Sequence, residues 1–508
     1  MGLYDFTFYD LIHRNALCYD SKPAWLEAET GAAIDFSAFK TRVDRMAAGL
    51  QKAGIRSGDR IGAVGKNSLA FFSLYGAAAA LGAIVVPVNW RLSQNEVSFN
   101  LSDCTPKMVF ADNEFGETIT SLRKQLPSVE RFVNLTDKGP LDAFDDLLID
   151  APFSGKPVSA NDGLVIIHTA AVAGRPRGAL LSHANLLCAS LHLNYCFNLS
   201  PEDVHLNLLP LFHVAGLFMA VNAFHAGALN VNMGKFDADK AVDLIAAHKA
   251  SLLFDFSPIL GAILDAAEKN RADISSLRAV MGLDTPEIIE RYQKTTGGCF
   301  YTMYGQTETS CLTTMGRYDD CPGSAGCAIP LGRVELVDDA DNAVPTGQVG
   351  EITLQGPMVF KGYWNLDEDN DQTFRNGRHH TGDLGRFDEK GFLWYAGRKP
   401  EKELIKPGGE NVYPAEVEKV ILEHPAVAQT VVFGVPDPKW KEAIKAVCVS
   451  APGSTITAGE LIEFVGQRIA RYKKPQYVEF VESLPEKDSA IDREAVKQRY
   501  GAKQPVNA

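Results

Sequence analysis

From about Phe36 to about Gly282 the chain alternates short apolar runs with helix-period stretches, and this rhythm constrains the fold more than any other feature. Arg60 to Val64, Met108 to Ala111, Leu164 to His168 and Ser251 to Asp255 read as strands. Apolar runs of this length between amphipathic helices build β-α units around mostly parallel sheets. After Pro322 the texture changes. Arg333 to Val337, Gly350 to Leu354, Gly385 to Asp388 and Phe392 to Ala396 read as short strands between turns, a small antiparallel or barrel-like section. Beyond Gly397-Arg398 the pattern predicts a helix over Pro414 to Glu423 and strands over Ala428 to Val435 and Ala443 to Ser450. A helix over Ala458 to Arg471 and a strand over Tyr477 to Phe480 follow, which together make a small α+β domain.

With 508 residues the chain is too long for one hydrophobic core, so two or more domains are expected. A net charge of −13 argues against a nucleic-acid-binding surface. The nine cysteines are scattered without a C-x-x-C pair, which fits reduced thiols in a cytoplasmic protein. Met1 to Tyr9 shows no basic start followed by an apolar run, so no signal peptide is read. Phe71 to Val88 is uncharged, but Gly76, Gly82 and Pro87 interrupt it. It reads as a buried Ala-rich helix, a tight turn at Gly82 and a buried strand, not as a membrane span. The sequence sets no oligomeric state.

Three stretches carry chemistry. Tyr301-Thr-Met-Tyr-Gly-Gln-Thr-Glu-Thr309 follows an apolar strand. A loop there lets Tyr304 stack on a flat ring while Thr307 and Glu308 reach a phosphate or Mg²⁺, with Gly305 at the bend; a plain polar turn is the competing reading. In His380-Thr-Gly-Asp-Leu-Gly-Arg386, Asp383 after a glycine can accept two hydrogen bonds from ribose hydroxyls, although a simple β-turn has the same composition. The third runs from Gly397-Arg398 through Glu403-Leu-Ile-Lys-Pro-Gly-Gly-Glu-Asn-Val-Tyr-Pro-Ala-Glu-Val417, where Gly408 and Gly409 permit close backbone approach to a ligand and Pro414 opens a helix.

In this order and spacing the three stretches resemble the adenylate-forming superfamily, the acyl- and aryl-CoA synthetases in particular. Pro210-Leu-Phe-His-Val-Ala-Gly216 is similar to that family's aromatic-gate motif, with His213 beside the acyl pocket. Gly434-Val-Pro-Asp437 and Arg471-Tyr-Lys-Lys-Pro475 are also typical. The resemblance spans about Tyr9 to Tyr500. It implies a domain of residues 1–397, made of two α/β sub-domains plus a small β-barrel section, and a mobile α+β lid of residues 398–508 that turns about a hinge near 398–402. It implies a two-step reaction: acid and ATP·Mg²⁺ give acyl-AMP and pyrophosphate, and coenzyme A then takes the acyl group. By motif, Tyr304 would stack on adenine, Thr307 contact the α-phosphate and Glu308 hold Mg²⁺. Asp383 would bind the ribose, with Arg398 at the ribose or phosphate edge. Thr169, Gly174 and Arg177 fall in the phosphate loop, Gly282 lies near the nucleotide, and Lys406, Gly408 and Gly409 border the pantetheine channel.

Two places depart from the family pattern. The phosphate loop usually reads T-S-G-T-T-G-x-P-K-G; here it is Thr169-Ala-Ala-Val-Ala-Gly-Arg-Pro-Arg-Gly178. Hydroxyls that cradle phosphates are replaced by Ala170, Val172 and Ala173, and Ala171 replaces a glycine. Hydrogen bonds to charged groups contribute roughly 1.5–3 kcal/mol each, without simple additivity. Near the C-terminus, Leu484-Pro-Glu-Lys-Asp-Ser-Ala-Ile-Asp-Arg493 puts Ala490 where the adenylation lysine usually stands, with Lys487 displaced upstream. Losing one preorganised donor costs about 10²–10³ in rate. Both departures fall on adenylation. The expectation is a ligase-type enzyme that binds a hydrophobic acyl-adenylate and passes the acyl group to coenzyme A, with adenylation weak or absent and a separate adenylating paralogue as a possible partner. The alternatives are a complete ATP-dependent acyl-CoA synthetase with divergent motifs and a non-catalytic acyl-AMP-binding protein. The pocket stretches His213 to Ala220, Phe254 to Leu260 and Gly282 to Asp284 are apolar, favouring a hydrophobic chain or ring over acetate.

Overall fold

A computed structural model describes residues 5–136, 139–154, 157–172, 175–399, 403–407, 410–437, 440–487 and 490–501. Two compact units emerge. One comprises residues 1–90, 101–167 and 178–397, and the other residues 91–100, 168–177 and 398–508.

The β-α rhythm builds two sheets, most of whose residues belong to the first unit. A seven-stranded sheet runs in the order Gly362–Tyr363, Arg175–Ser182, Gly163–Val172, Ile84–Val88, Arg60–Val64, Met108–Ala111 and Arg131–Asn134. From Gly163–Val172 to Arg131–Asn134 the neighbours pair in parallel, while Gly362–Tyr363 pairs antiparallel with Arg175–Ser182. The uncharged stretch resolves as the sequence predicts: helix Leu69–Leu81 is buried on every side, Gly82 takes the left-handed φ of 68°, and strand Ile84–Val88 is buried on both faces. A glycine lacks the Cβ that makes this conformation costly.

The second, nine-stranded sheet places Val204–Asn207, Leu252–Phe256, Ala279–Leu283 and Cys299–Tyr304 side by side, all parallel. Register fixes what meets at the carboxyl edge: Gly282 lies opposite Asp255 on one side and Thr302 on the other. In open α/β sheets ligands bind outside the carboxyl ends of such strands. The region after Pro322 is a four-stranded sheet in the order Arg333–Val337, Gly350–Gln355, His379–Phe387 and Leu393–Arg398.

The C-terminal unit contains a three-stranded sheet of Val427–Asp437, Lys441–Ser450 and Tyr477–Val481. Helices Pro414–Leu422 and Ala458–Gly466 cover it through Val417, Ile421, Leu461 and Val465. The second helix ends at Gly466, short of Arg471, because glycine disfavours continuation; Arg471–Lys473 forms a separate 3₁₀ turn.

Expected boundaries also move at the chemical motifs. Strand Cys299–Tyr304 already contains Tyr301 to Tyr304, so the first chemical motif begins inside the strand and leaves it only at Gly305. The expected phosphate loop is largely extended: strand Gly163–Val172 continues past His168, and strand Arg175–Ser182 begins directly after residues 173–174. A tract reading Thr-Ala-Ala-Val lacks the glycine and turn residues that would stop a strand.

Candidate active site

The site begins where strand Cys299–Tyr304 ends. A Cβ on Gly305 would lie 1.9 Å from the Cys311 carbonyl oxygen, so only glycine lets the chain fold back on itself here. The return is pinned by Thr313 N donating to Tyr304 O at 2.8 Å and Cys311 N donating to Gln306 O at 3.0 Å. Between them Thr307–Thr309 makes a single 3₁₀ turn, followed by Ser310 and Cys311 at φ 53° and 81°. Burial pushes the Cys311 thiol up to about 12, which removes it as a nucleophile at neutral pH.

Asp383 arrives from a different element. It lies in strand His379–Phe387 just after Gly382, whose φ of 69° accompanies an irregular register against strand Gly350–Gln355. Asp383 is 1% exposed. Its Oδ2 accepts from the Tyr304 hydroxyl at 2.7 Å and from Gln306 Nε2 at 2.6 Å. Gln306 Nε2 also donates to Thr381 O at 3.1 Å, and the Tyr304 and Tyr395 rings lie 6.0 Å apart. Gly382 N donates to Glu351 Oε1 at 2.9 Å, and Arg375 Nη2 bonds Glu351 Oε2 at 3.0 Å. A buried carboxylate is thus held by donors on both sides.

Glu308 is buried, and its Oε1 accepts from the Tyr363 hydroxyl at 2.7 Å. Phe360 N donates to Glu308 O at 2.9 Å, so the segment from Phe360 to Tyr363 and the turn that carries Glu308 are tied twice. Tyr363 is fixed in turn by Asn370, which accepts from its N–H at 2.6 Å and donates to its carbonyl at 2.9 Å. A single oriented carboxylate fits Mg²⁺, which is commonly held by one or two carboxylates plus substrate phosphates.

His213 caps helix Val214–Ala226, its Nδ1 accepting from Ala215 N at 3.3 Å. Gly282 has a φ of 157°, and a Cβ there would lie 1.9 Å from Asp255 O. Asp255 Oδ1 accepts from Leu260 N at 3.0 Å, capping helix Ile259–Asn270. Gly282, Tyr304 and the Phe254-Asp255-Phe256 segment therefore lie at the ends of three neighbouring strands, and the loop to His213 follows a fourth, at one carboxyl edge.

The remaining expected residues lie in the second unit. Thr169 Oγ1 donates to Arg177 O at 3.3 Å, Arg398 ends a strand, and Lys406 is exposed with its N–H on Glu442 Oε2 at 2.6 Å. Gly174, Gly408 and Gly409, with Ala173 and residues 400–402, lie outside the described residues. The main chain of Ala490 pairs with Lys487 in a short antiparallel ladder. Sequence reasoning missed Gln306, Tyr363 and Glu351. Gln306 sat inside a motif already singled out; the other two carry no local signal.

A family model described as an AMP-binding enzyme matches residues 12–364, and one described as the AMP-binding enzyme C-terminal domain matches residues 416–490. The chain belongs to the AMP-binding enzyme family. Within it, this AMP-binding enzyme is 33% identical over 478 residues to the feruloyl-CoA synthase of Amycolatopsis sp, covering 93% of this chain and 95% of that protein. It is 35% identical over 452 residues to the indoleacetate–CoA ligase of Aromatoleum aromaticum, covering 87% of this chain and 88% of that one. The o-succinylbenzoate CoA synthetase of Bacillus subtilis, solved with a product analogue, superposes with a TM-score of 0.85 at 26% identity over 97% of this chain and 98% of that one. The AMP-binding enzyme described here is of the acid–thiol ligase type. No described helix is long and apolar enough to cross a membrane.

Proposed function

We propose that this enzyme holds an apolar acyl-adenylate and transfers its acyl group to coenzyme A, and that making the adenylate is its slow half-reaction. The observation that carries the reading is an asymmetry. The AMP-side residues form two hydrogen-bonded clusters, Tyr304 and Gln306 on Asp383 and Tyr363 on Glu308. The phosphate-loop tract is drawn into strand up to Val172 and again from Arg175, which engages backbone groups in a ladder instead of leaving them for pyrophosphate.

In this reading adenine stacks on Tyr304, Asp383 takes the ribose hydroxyls, Thr307 contacts the α-phosphate and Glu308 holds Mg²⁺ when adenylation occurs. Arg398 meets the ribose or phosphate edge, and residues 398–508 turn about 398–402 so that Lys406, Gly408 and Gly409 line the path of coenzyme A. The thiol sulfur attacks the acyl carbonyl, the carbonyl–phosphate bond breaks, AMP leaves and the thiol proton is released. The pocket walls, with Phe218 and Phe254 buried, favour an apolar acid. Ferulate, indole-3-acetate and decanoate are the first acids to test, because relatives named for aromatic acids and for fatty acids are of comparable similarity.

A complete ATP-dependent ligase is the second reading. Retention of the buried Glu308 and the ligase names of the relatives favour it. The test of acyl transfer is thioester formation from synthetic acyl-AMP and coenzyme A. A thioester formed well above the uncatalysed rate is expected; none above that rate overturns the enzyme reading in favour of a binding protein.

A further inference from the structure

The loop that ends in His213 is held by a residue from the other sheet. Asn67 follows strand Arg60–Val64 and precedes helix Leu69–Leu81; it is 7% exposed. Its Oδ1 accepts from Leu211 N at 2.7 Å, and its Nδ2 donates to Leu209 O at 2.8 Å. Eight residues further on, within helix Leu69–Leu81, fully buried Tyr75 donates its hydroxyl to Leu211 O at 2.8 Å. Leu211 thus has its donor and acceptor both satisfied by side chains, and Leu209 has its acceptor satisfied. These are backbone groups that a loop between strand and helix otherwise leaves without partners.

The opposite side of the loop is equally constrained. A Cβ on Gly216 would lie 2.2 Å from Pro210 O and 2.6 Å from Leu209 O, so helix Val214–Ala226 presses directly on the loop backbone. His213 N donates to Pro210 O at 3.0 Å, which closes the turn that presents the imidazole. The main chain of Leu209 to Leu211 therefore has one seat, made by Asn67 and Tyr75 on one side and by Gly216 on the other. Asn67 is itself set by its neighbour: Lys66 N donates to Asp112 Oδ2 at 2.6 Å.

We infer that Asn67 is a positioning residue for acyl selection, acting through the backbone of Leu209 to Leu211 to place Phe212 and His213 at the carboxyl edge. This rests on the reading of His213 as a wall of the acyl pocket. An amide is required, because the two bonds need one acceptor and one donor on the same planar group. Aspartate keeps the shape and the acceptor, loses the donor, and sets a carboxylate oxygen against the Leu209 carbonyl oxygen.

The test compares wild type with Asn67→Asp, Asn67→Ala and Tyr75→Phe, using ferulate, indole-3-acetate and decanoate in steady-state thioester assays, together with hydrogen exchange over residues 208–216. The expected result for Asn67→Asp and Asn67→Ala is an acid KM raised about tenfold, with the KM values for ATP and coenzyme A within twofold of wild type. The ranking of the three acids should also change, and exchange over 208–216 should be faster. Tyr75→Phe should move in the same direction by less, and the Asn67→Ala/Tyr75→Phe pair should be less than additive, since both hold Leu211. A general loss of packing would instead lower activity in proportion to the folded fraction, with acid KM and acid ranking unchanged; that result overturns the inference. So does unchanged exchange over 208–216. The exchange arm needs no substrate: a wild type that forms no thioester even when the three acids are supplied as synthetic acyl-AMP counts against the function reading, and the exchange result still decides this one.

Discussion

The Tyr304 hydroxyl donates to Asp383 Oδ2 across 2.7 Å, joining the end of a parallel strand to a strand of the four-stranded sheet. Gln306 Nε2 reaches the same oxygen at 2.6 Å. The bond fixes the edge of the ring proposed to stack on adenine by means of the carboxylate proposed to bind the ribose, so one contact sets the distance between both recognition elements. Tyr304→Phe keeps the ring and removes the bond. A hydrogen bond to a charged group contributes roughly 1.5–3 kcal/mol, so AMP affinity should fall about tenfold or more. Asp383→Ala, which deprives Tyr304 and Gln306 of their shared acceptor, should cost more. Calorimetry with AMP measures both, and affinities within twofold of wild type count against the assignment.

The Tyr363 hydroxyl donates to Glu308 Oε1 and so orients the carboxylate proposed to hold Mg²⁺. Groups of this kind typically contribute 10–100-fold in metal affinity. Tyr363→Phe should raise the Mg²⁺ concentration for half-maximal acid-dependent ATP–pyrophosphate exchange about tenfold, while leaving thioester formation from acyl-AMP unchanged. An equal loss in both assays would show that Tyr363 only supports the fold.

Stability should depend on pH through the buried imidazoles. Burial lowers His205 to about 4 despite its 2.8 Å contact between Nδ1 and Asn230 Oδ1, and burial likewise lowers His183 to about 4. A pKa lower in the folded chain than in the unfolded one means that the unfolded chain binds more protons on acidification. The stabilisation is therefore present above about pH 6.5 and is lost as pH falls toward 4. At pH 5 one such histidine costs about 2 kcal/mol relative to neutral pH. Chemical denaturation of wild type at pH 7.5 and 5.0 should show a marked drop, and His205→Gln should show a smaller one. Equal drops in the two proteins would place the titration elsewhere.

The β-α framework was legible because periodicity and glycine placement report directly on it. The Leu69–Leu81 helix, the Gly82 turn and the Ile84–Val88 strand fall where the apolar run and its breaker put them. The phosphate-loop tract was less legible: a family pattern suggested a loop, whereas Thr169 to Val172 carry no turn-forming residue and continue the strand. At the candidate site, motifs singled out Tyr304, Thr307, Glu308 and Asp383, but not the direct bond between Tyr304 and Asp383, because strand order sets it and no local pattern encodes it. Tyr363 and Glu351 act on other side chains, and a polar residue that bonds a site carboxylate has the same local pattern as one that faces solvent.

The imbalance between the two half-reactions is the central claim, and one preparation of wild-type enzyme tests it. Acid-dependent ATP–pyrophosphate exchange and thioester formation from synthetic acyl-AMP plus coenzyme A are measured side by side with ferulate, indole-3-acetate and decanoate. Thioester formation should exceed exchange by about 10²–10³, the scale of one lost preorganised donor. Exchange as fast as thioester formation with any of the three acids would contradict the claim and establish a complete ligase.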